Sequence, residues 1–238
     1  MGLTENDFYF PKEKSYTIRL LSAKNKGPFY FAMRIHNVGN KTYHCTKTVK
    51  EPSIWHGSCV ICEHYGRFYQ FGQPQFYPGK DFDCDLRMIK PIERFFYNVI
   101  VRGQEKLGPK VWKCGKALHQ QIVTSIVGDQ SKGTRPLGDV TNPETGRDLS
   151  VEVEQKIVGG GQSFPMASGT FMPSSRLGTV AQIAQWVEQL HDLNQIFTPP
   201  VESEMLDELE SIFGHLGKIK SYNKRTFRAI TEPFKASW

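Results

Sequence analysis

At 238 residues, with 39% hydrophobic and 12% aromatic side chains, the chain suits one large domain or a domain carrying a substantial insertion. It has no run of eighteen apolar residues, which excludes a transmembrane helix. Glu5 and Asp7 stand where a signal peptide would be apolar, and five cysteines, an odd number, point to a reducing, cytoplasmic setting. Thirty Lys and Arg against twenty-four Asp and Glu, a net charge of +6, fit an anionic partner and no membrane.

Tyr16-Thr17-Ile18-Arg19-Leu20-Leu21 alternates as a strand, and the turn Lys24-Asn25-Lys26-Gly27 leads to a second over 28–36. A third, over 41–46, pairs with the second across Asn37-Val38-Gly39-Asn40. A cysteine-bearing segment follows and ends in an aromatic-rich piece through Phe76. After a loop at Pro78-Gly79-Lys80 and a short stretch over 85–90, Arg94-Phe95-Phe96-Tyr97-Asn98-Val99-Ile100-Val101 is β-branched and aromatic throughout, a strand. Val111-Trp112-Lys113 is another. Leu118, Ile122, Val123 and Ile126 recur at helical spacing over 115–127. A polar loop over 128–148 precedes an alternating strand over 149–158, and Gly159-Gly160-Gly161-Gln162-Ser163-Phe164 reads as a flexible loop carrying a ring. Helices are expected from Val180 to Leu193, stopped by Pro199-Pro200, and over 203–216. The pattern is mostly β with α. It fits an OB-fold-like small barrel with an inserted zinc subdomain and C-terminal helices.

His36, Cys45, Cys59 and Cys62 offer one imidazole and three thiols, the donor set of a closed tetrahedral Cys₃His zinc site. The two-residue gap between Cys59 and Cys62 lets one tight turn present both sulfurs to the same ion. His44, His56 and His64 compete for the fourth position; His36 is preferred because it ends a strand that would aim its ring. The plainer alternative is reduced buried cysteines beside a surface histidine. Four protein ligands leave no place for water, and neither H-E-x-x-H nor a His-x-Glu before the cysteine pair occurs, so one structural Zn²⁺ is expected and no catalysis.

Proteins that hold unpaired strands need cations along the backbone path and flat rings for the bases. Residues 87–97 supply both: Arg87, Lys90 and Arg94 beside Phe95, Phe96 and Tyr97. Adjacent strand residues point oppositely, so one of Phe95 and Phe96 is expected in the core and the other on the binding face. Tyr65, Phe68, Tyr69 and Phe76, interleaved with Arg67, extend the ring set, and Arg19, Lys24, Lys26, Arg34 and Arg102 sit beside rings or loops. The run Lys218, Lys220, Lys224, Arg225 and Arg228 adds a basic end. Stacking ignores base identity and the 2′-hydroxyl, so binding would be independent of sequence and open to RNA as well as DNA.

In the order of its motifs and in the C-x₂-C ending of its ligand set the chain resembles the gene 32 family of phage single-stranded-DNA-binding proteins, although the spacing between His36 and Cys45 is shorter here. The likeness runs from Ile18-Arg19-Leu20-Leu21 through His36, Cys45, Cys59 and Cys62 to Phe95-Phe96-Tyr97-Asn98-Val99-Ile100-Val101. It resumes at Val153-Glu154-Gln155-Lys156-Ile157-Val158-Gly159 and covers most of residues 16 to about 215. It implies an OB-fold barrel over 16–35 and 85–170, a zinc subdomain over 36–84 and a helical extension over 175–238, all within one DNA-binding core. It also implies a role in DNA replication, recombination and repair, and the host cytoplasm as the setting. By position Phe95 and Phe96 match a ring pair of the family's cleft, Arg87 and Lys90 its basic stretch, and Phe164 a loop aromatic. The family's basic N-terminal arm, which mediates self-association along DNA, has no counterpart here. Neither does its acidic tail, which recruits replication proteins. The competing functional classes are a zinc-stabilised protein-interaction module and a zinc-dependent nucleic-acid enzyme.

Overall fold

Alternating side chains give this chain its strands. The computed structural model describes residues 3–24, 27–51, 54–70, 73–74, 89–157 and 163–213, with the backbone alone described at 48–51, 54–56, 66–70, 73–74, 132 and 213. The strands are β1 (Phe8–Tyr9), β2 (Ser15–Leu20), β3 (Tyr30–Val38), β4 (Lys41–His44), β5 (Thr48–Glu51), β6 (Ile54–His56), β7 (Tyr69–Gln70), β8 (Gln73–Pro74), β9 (Ile92–Val101), β10 (Lys110–Gly115), β11 (Arg147–Ile157) and β12 (Ser163–Ser174). The helices are α1 (Val60–Phe68), α2 (Lys116–Val127), α3 (Val180–Glu188) and α4 (Glu202–Phe213). This is a mixed sheet with helices, mostly β with α. The residues form two compact units: Met1–Met33 with Glu93–Thr198, and Arg34–Ile92 with Pro199–Trp238.

In the first unit the strand order is β1-β10-β9-β2-β11-β12, with β1 parallel to β10 and the other neighbours antiparallel. Strand β9 is buried without a break from Phe95 to Val101 because both its faces are covered. Phe95, Tyr97, Val99 and Val101 point to one side, where Ile18, Leu20, Trp112, Leu118, Ile122 and Leu149 complete the main core. Ile100 points to the other, against Leu21, Leu177, Trp186 and Leu190. Each large side chain fully buried this way contributes about 1.5–3 kcal/mol.

Helix α2 starts at Lys116 and lays Leu118 and Ile122 on the sheet. It stops at Gly128, whose φ of +79° lets its N–H reach the Thr124 carbonyl at 2.8 Å. Gly169 lets β12 pass close beneath it: a Cβ there would lie 2.8 Å from Leu118 Cδ1. Strand β12 itself departs from the expected flexible loop around Phe164. It pairs with β11 from Ile157↔Ser163 through Leu149↔Phe171 despite Pro165, which has no N–H to give and is tolerated because an edge strand has positions that need no ladder donor. Thr179 caps α3, exchanging hydrogen bonds with Gln182. The helical reading to Leu193 shortens accordingly: α3 ends at Glu188 and a 3₁₀ turn covers Leu193–Ile196.

In the second unit β3 and β4 form a hairpin, with His36 opposite Tyr43 and Ile35 opposite His44. Gly39, at φ +58°, makes the turn. Short antiparallel pairs β5–β6 and β7–β8 follow. The aromatic-rich piece that follows the cysteine pair begins within helix α1. Val38, Tyr43, Val60, Ile61, Ile89, Met205 and Leu209 pack around Cys45 and Cys59. The last two come from α4, whose acidic face also pairs Glu208 with Lys41 at 2.8 Å. The helices after residue 175 are therefore divided, α3 in the first unit and α4 in the second. Residues 214–216 of the expected last helix, the basic run from Lys218 to Arg228, the loops at 78–80 and 159–161, and residues 85–88 lie outside the described residues.

Candidate functional site

Strand β3 carries His36 into the second unit's core, where the ring is fully buried. Its Nδ1 lies 2.9 Å from the Ile89 carbonyl; donation to that oxygen fixes the tautomer and turns the Nε2 lone pair toward the sulfurs. Cys45 follows β4, Cys59 precedes α1, and Cys62 sits in its first turn. Nε2 is 3.5 Å from Cys59 Sγ and 3.4 Å from Cys62 Sγ; Cys45 and Cys62 sulfurs are 3.5 Å apart, and all four donor atoms lie within 4.8 Å of one another. Bonds of about 2.3 Å to sulfur and 2.0–2.1 Å to nitrogen require tetrahedral edges of roughly 3.6–3.8 Å. Three of the donor pairs fall just under that figure, and the set is compatible with a single structural metal site.

The choice among the histidines follows from local geometry. His44 neighbours Cys45 at the end of a strand, so their side chains diverge. His64 lies two positions past Cys62 in α1, roughly 200° around the helix. The side chain of His56 is not described. The crowded donors shift one another's protonation. Hydrogen bonds from Cys45 and Cys62 hold the Cys59 thiol far below its ordinary range, while Cys45 and Cys59 push Cys62 far above. Burial lowers the His36 pKa, but hydrogen bonds with Cys45 and Cys59 outweigh it and raise the ring to about 9. Cys114 stands apart in the first unit's core, its thiol pushed up to about 12 by burial.

The nucleic-acid candidates fare unevenly. Arg19, expected on the binding surface, is wholly buried: Nε meets Asp148 Oδ1 at 2.7 Å, and Nη2 meets the Ser175 carbonyl at 3.0 Å and its hydroxyl at 2.6 Å. Arg102 shares Asp148, through Nε at 3.0 Å and Nη2 at 2.9 Å, and binds the Leu177 carbonyl. These two cations tie the segment after β12 to the sheet. Phe95 and Phe96 do point to opposite faces of β9, but both are buried, at 8% and 5% exposure, since neither face is open. Phe95 stacks on His119, centroids 3.6 Å apart.

Arg34, Tyr65 and Arg94 are half-buried, Tyr65 packed against the core around the cysteines. Lys24, Lys90 and Phe164 are exposed. Lys24, Arg94 and Phe164 share the first unit but sit on separate elements. Only the backbone is described at Arg67, Phe68 and Tyr69; Phe76 and Arg87 lie outside the described residues. Phe164, 51% exposed, is directly cross-strand from Lys156, so ring and ammonium share one face of the β11–β12 ribbon, while the exposed Ile157 points to the other.

Sequence reasoning missed a cleft beside Lys24. It is open to solvent and is bordered by residues 23–24, 27–28 and 30–31 on one side and by residues 191–194 on the other. Its far wall is held by Asn98, buried in β9, which donates to the His191 carbonyl at 2.9 Å and accepts the His191 N–H at 3.1 Å. One signal was available: between Glu13 and Glu51 the chain carries no acidic residue, while Lys14, Arg19, Lys24, Lys26, Arg34 and Lys41 fall in that interval. Comparison with protein-family models gives no match, and no curated protein matches the sequence.

Proposed function

We propose that this chain is a sequence-independent single-stranded-DNA-binding protein, a non-enzymatic coat for strands exposed in replication, recombination and repair. Its frame is an OB-fold-like barrel, and His36, Cys45, Cys59 and Cys62 hold one structural Zn²⁺. The observation that carries the reading is the exposed Phe164 ring facing out beside Lys156, the pairing of flat side chain and cation that unpaired strands require. The exposed Lys24 within an acid-free stretch, and the overall charge of +6, support it. Thiolates in a Cys₃His set select a soft ion such as zinc. With four protein donors around it, the ion keeps no position for water, so its work is to tie β3, β4 and α1 together. The resemblance to the gene 32 family points the same way.

Competition between a labelled pyrimidine strand and unlabelled duplex of equal length tests this. The protein should stay on the single strand; equal displacement by duplex overturns the reading, and metal-dependent degradation of the strand would favour an enzyme instead.

A further inference from the structure

The cleft beside Lys24 has the features of a subsite for one unpaired nucleotide. Along β3, Tyr30 turns into the core, its ring 4.7 Å from His119 and within about 6 Å of the Phe95 and Tyr97 rings. Phe31, the next residue, points the other way and borders the cleft half-buried, the flat surface a base needs. Lys24 stands exposed at the rim, where a phosphate would meet it. The opposite wall is rigid and polar. Asp192 Oδ1 accepts from the Asn194 N–H at 3.1 Å and from Nδ2 at 3.0 Å, while Oδ2 bonds to nothing among the described residues. His191, pinned to Asn98, further anchors its Nε2 to the Pro109 carbonyl at 3.0 Å.

We infer that this cleft takes a single base of the bound strand, stacked against Phe31 with its phosphate at Lys24, and that Asp192 accepts a hydrogen bond from the base's exocyclic amine. This rests on the single-strand reading and adds to it a mild preference. Cytosine and adenine carry an amine to donate, whereas thymine offers a carbonyl that would face a carboxylate. A coat protein of this kind would bind every strand, but not all equally.

The test uses the full chain and three labelled strands of equal length, oligo-dC, oligo-dA and oligo-dT, with an abasic strand of the same phosphate count. Wild type should prefer dC and dA over dT about fivefold, the value of one hydrogen bond. Asp192→Asn keeps a side chain able to cap the 193–196 turn and should erase the preference. Phe31→Leu should weaken base-bearing strands about tenfold and leave the abasic strand unchanged. Thermal melts of both variants show whether they are folded. Equal wild-type affinity for the three homopolymers overturns the inference. So does a preference that survives Asp192→Asn, or a Phe31→Leu loss that is the same on the abasic strand. If wild type binds none of the strands, the single-strand reading itself fails; if it binds them all and the folded variants behave like wild type, only the cleft assignment does.

Discussion

Replacing Cys59 by serine removes one sulfur while nearly preserving shape. Cys59 is 2% exposed and its Sγ lies 3.5 Å from His36 Nε2, so the hydroxyl would sit in the same place but as a hard, protonated, poor ligand. Structural zinc is bound by about 10–16 kcal/mol, roughly 3 kcal/mol for each of four ligands, which is about a 150-fold loss of affinity per ligand. With free metal at about 100 times the wild-type dissociation constant, the ion stabilises the fold by about 2.7 kcal/mol; in the variant the same metal concentration contributes only about 0.3 kcal/mol. Cys59→Ser should therefore lose about 2.4 kcal/mol to urea and purify with little metal. A chelator should lower wild type to the variant's midpoint while barely moving the variant. Cys114→Ser, in the first unit's core, should keep a full metal complement. A Cys59→Ser protein with undiminished metal, or a wild-type midpoint indifferent to chelator, would refute the assignment.

Asp148→Asn would leave the fully buried Arg19 and its neighbour Arg102 without their shared anion, and should destabilise the fold by about 3 kcal/mol in urea; a loss under about 1 kcal/mol would show that the pairing is not what holds Arg19 inside. His119, hydrogen-bonded to Tyr97 at 2.6 Å, has its pKa lowered to about 4 by burial, partly opposed by Glu93. Below the unfolded value of 6.5 the unfolded chain takes up a proton that the folded chain refuses until about pH 4. Stability is thus lost as pH falls through that window, by about 1–2 kcal/mol after allowing for the ring's partial access to solvent. His119→Phe should remove that slope, and urea midpoints of both proteins between pH 7 and 4 would show it; parallel curves would contradict it. Phe96→Ala should cost about 3–5 kcal/mol of stability. Phe164→Ala should leave the melting temperature unchanged and weaken single-strand binding by at least about fivefold, and the reverse pattern would exchange their roles.

The cluster of candidate metal ligands was legible because its chemistry is local. Three thiols and an imidazole within twenty-seven residues have few other uses, and a strand carrying His36 predicts how its ring is aimed, although β3 continues past the expected end at His36 to Val38. The strand over Arg94–Val101 was legible too, but its continuous apolar run meant burial on both faces, so the idea of an open face for one of Phe95 and Phe96 followed from strand alternation and failed on packing. Arg19 read as a surface cation because its partner is 129 residues away, and a buried ion pair leaves no local trace. The same holds for the Asn98–His191 pair, 93 residues apart, which builds one wall of the cleft. Strand β12 was hidden by Pro165, Gly169 and Pro173, residues that mark turns in general but that an edge strand beneath a helix accommodates.

The most direct test of the account is fluorescence titration of a poly-pyrimidine strand at two salt concentrations, with metal content measured on the same protein sample. The account predicts one metal ion per chain and an affinity that falls steeply with salt, with a logarithmic slope of about −0.7 per phosphate neutralised. A flat salt response in a protein carrying its full metal would contradict it.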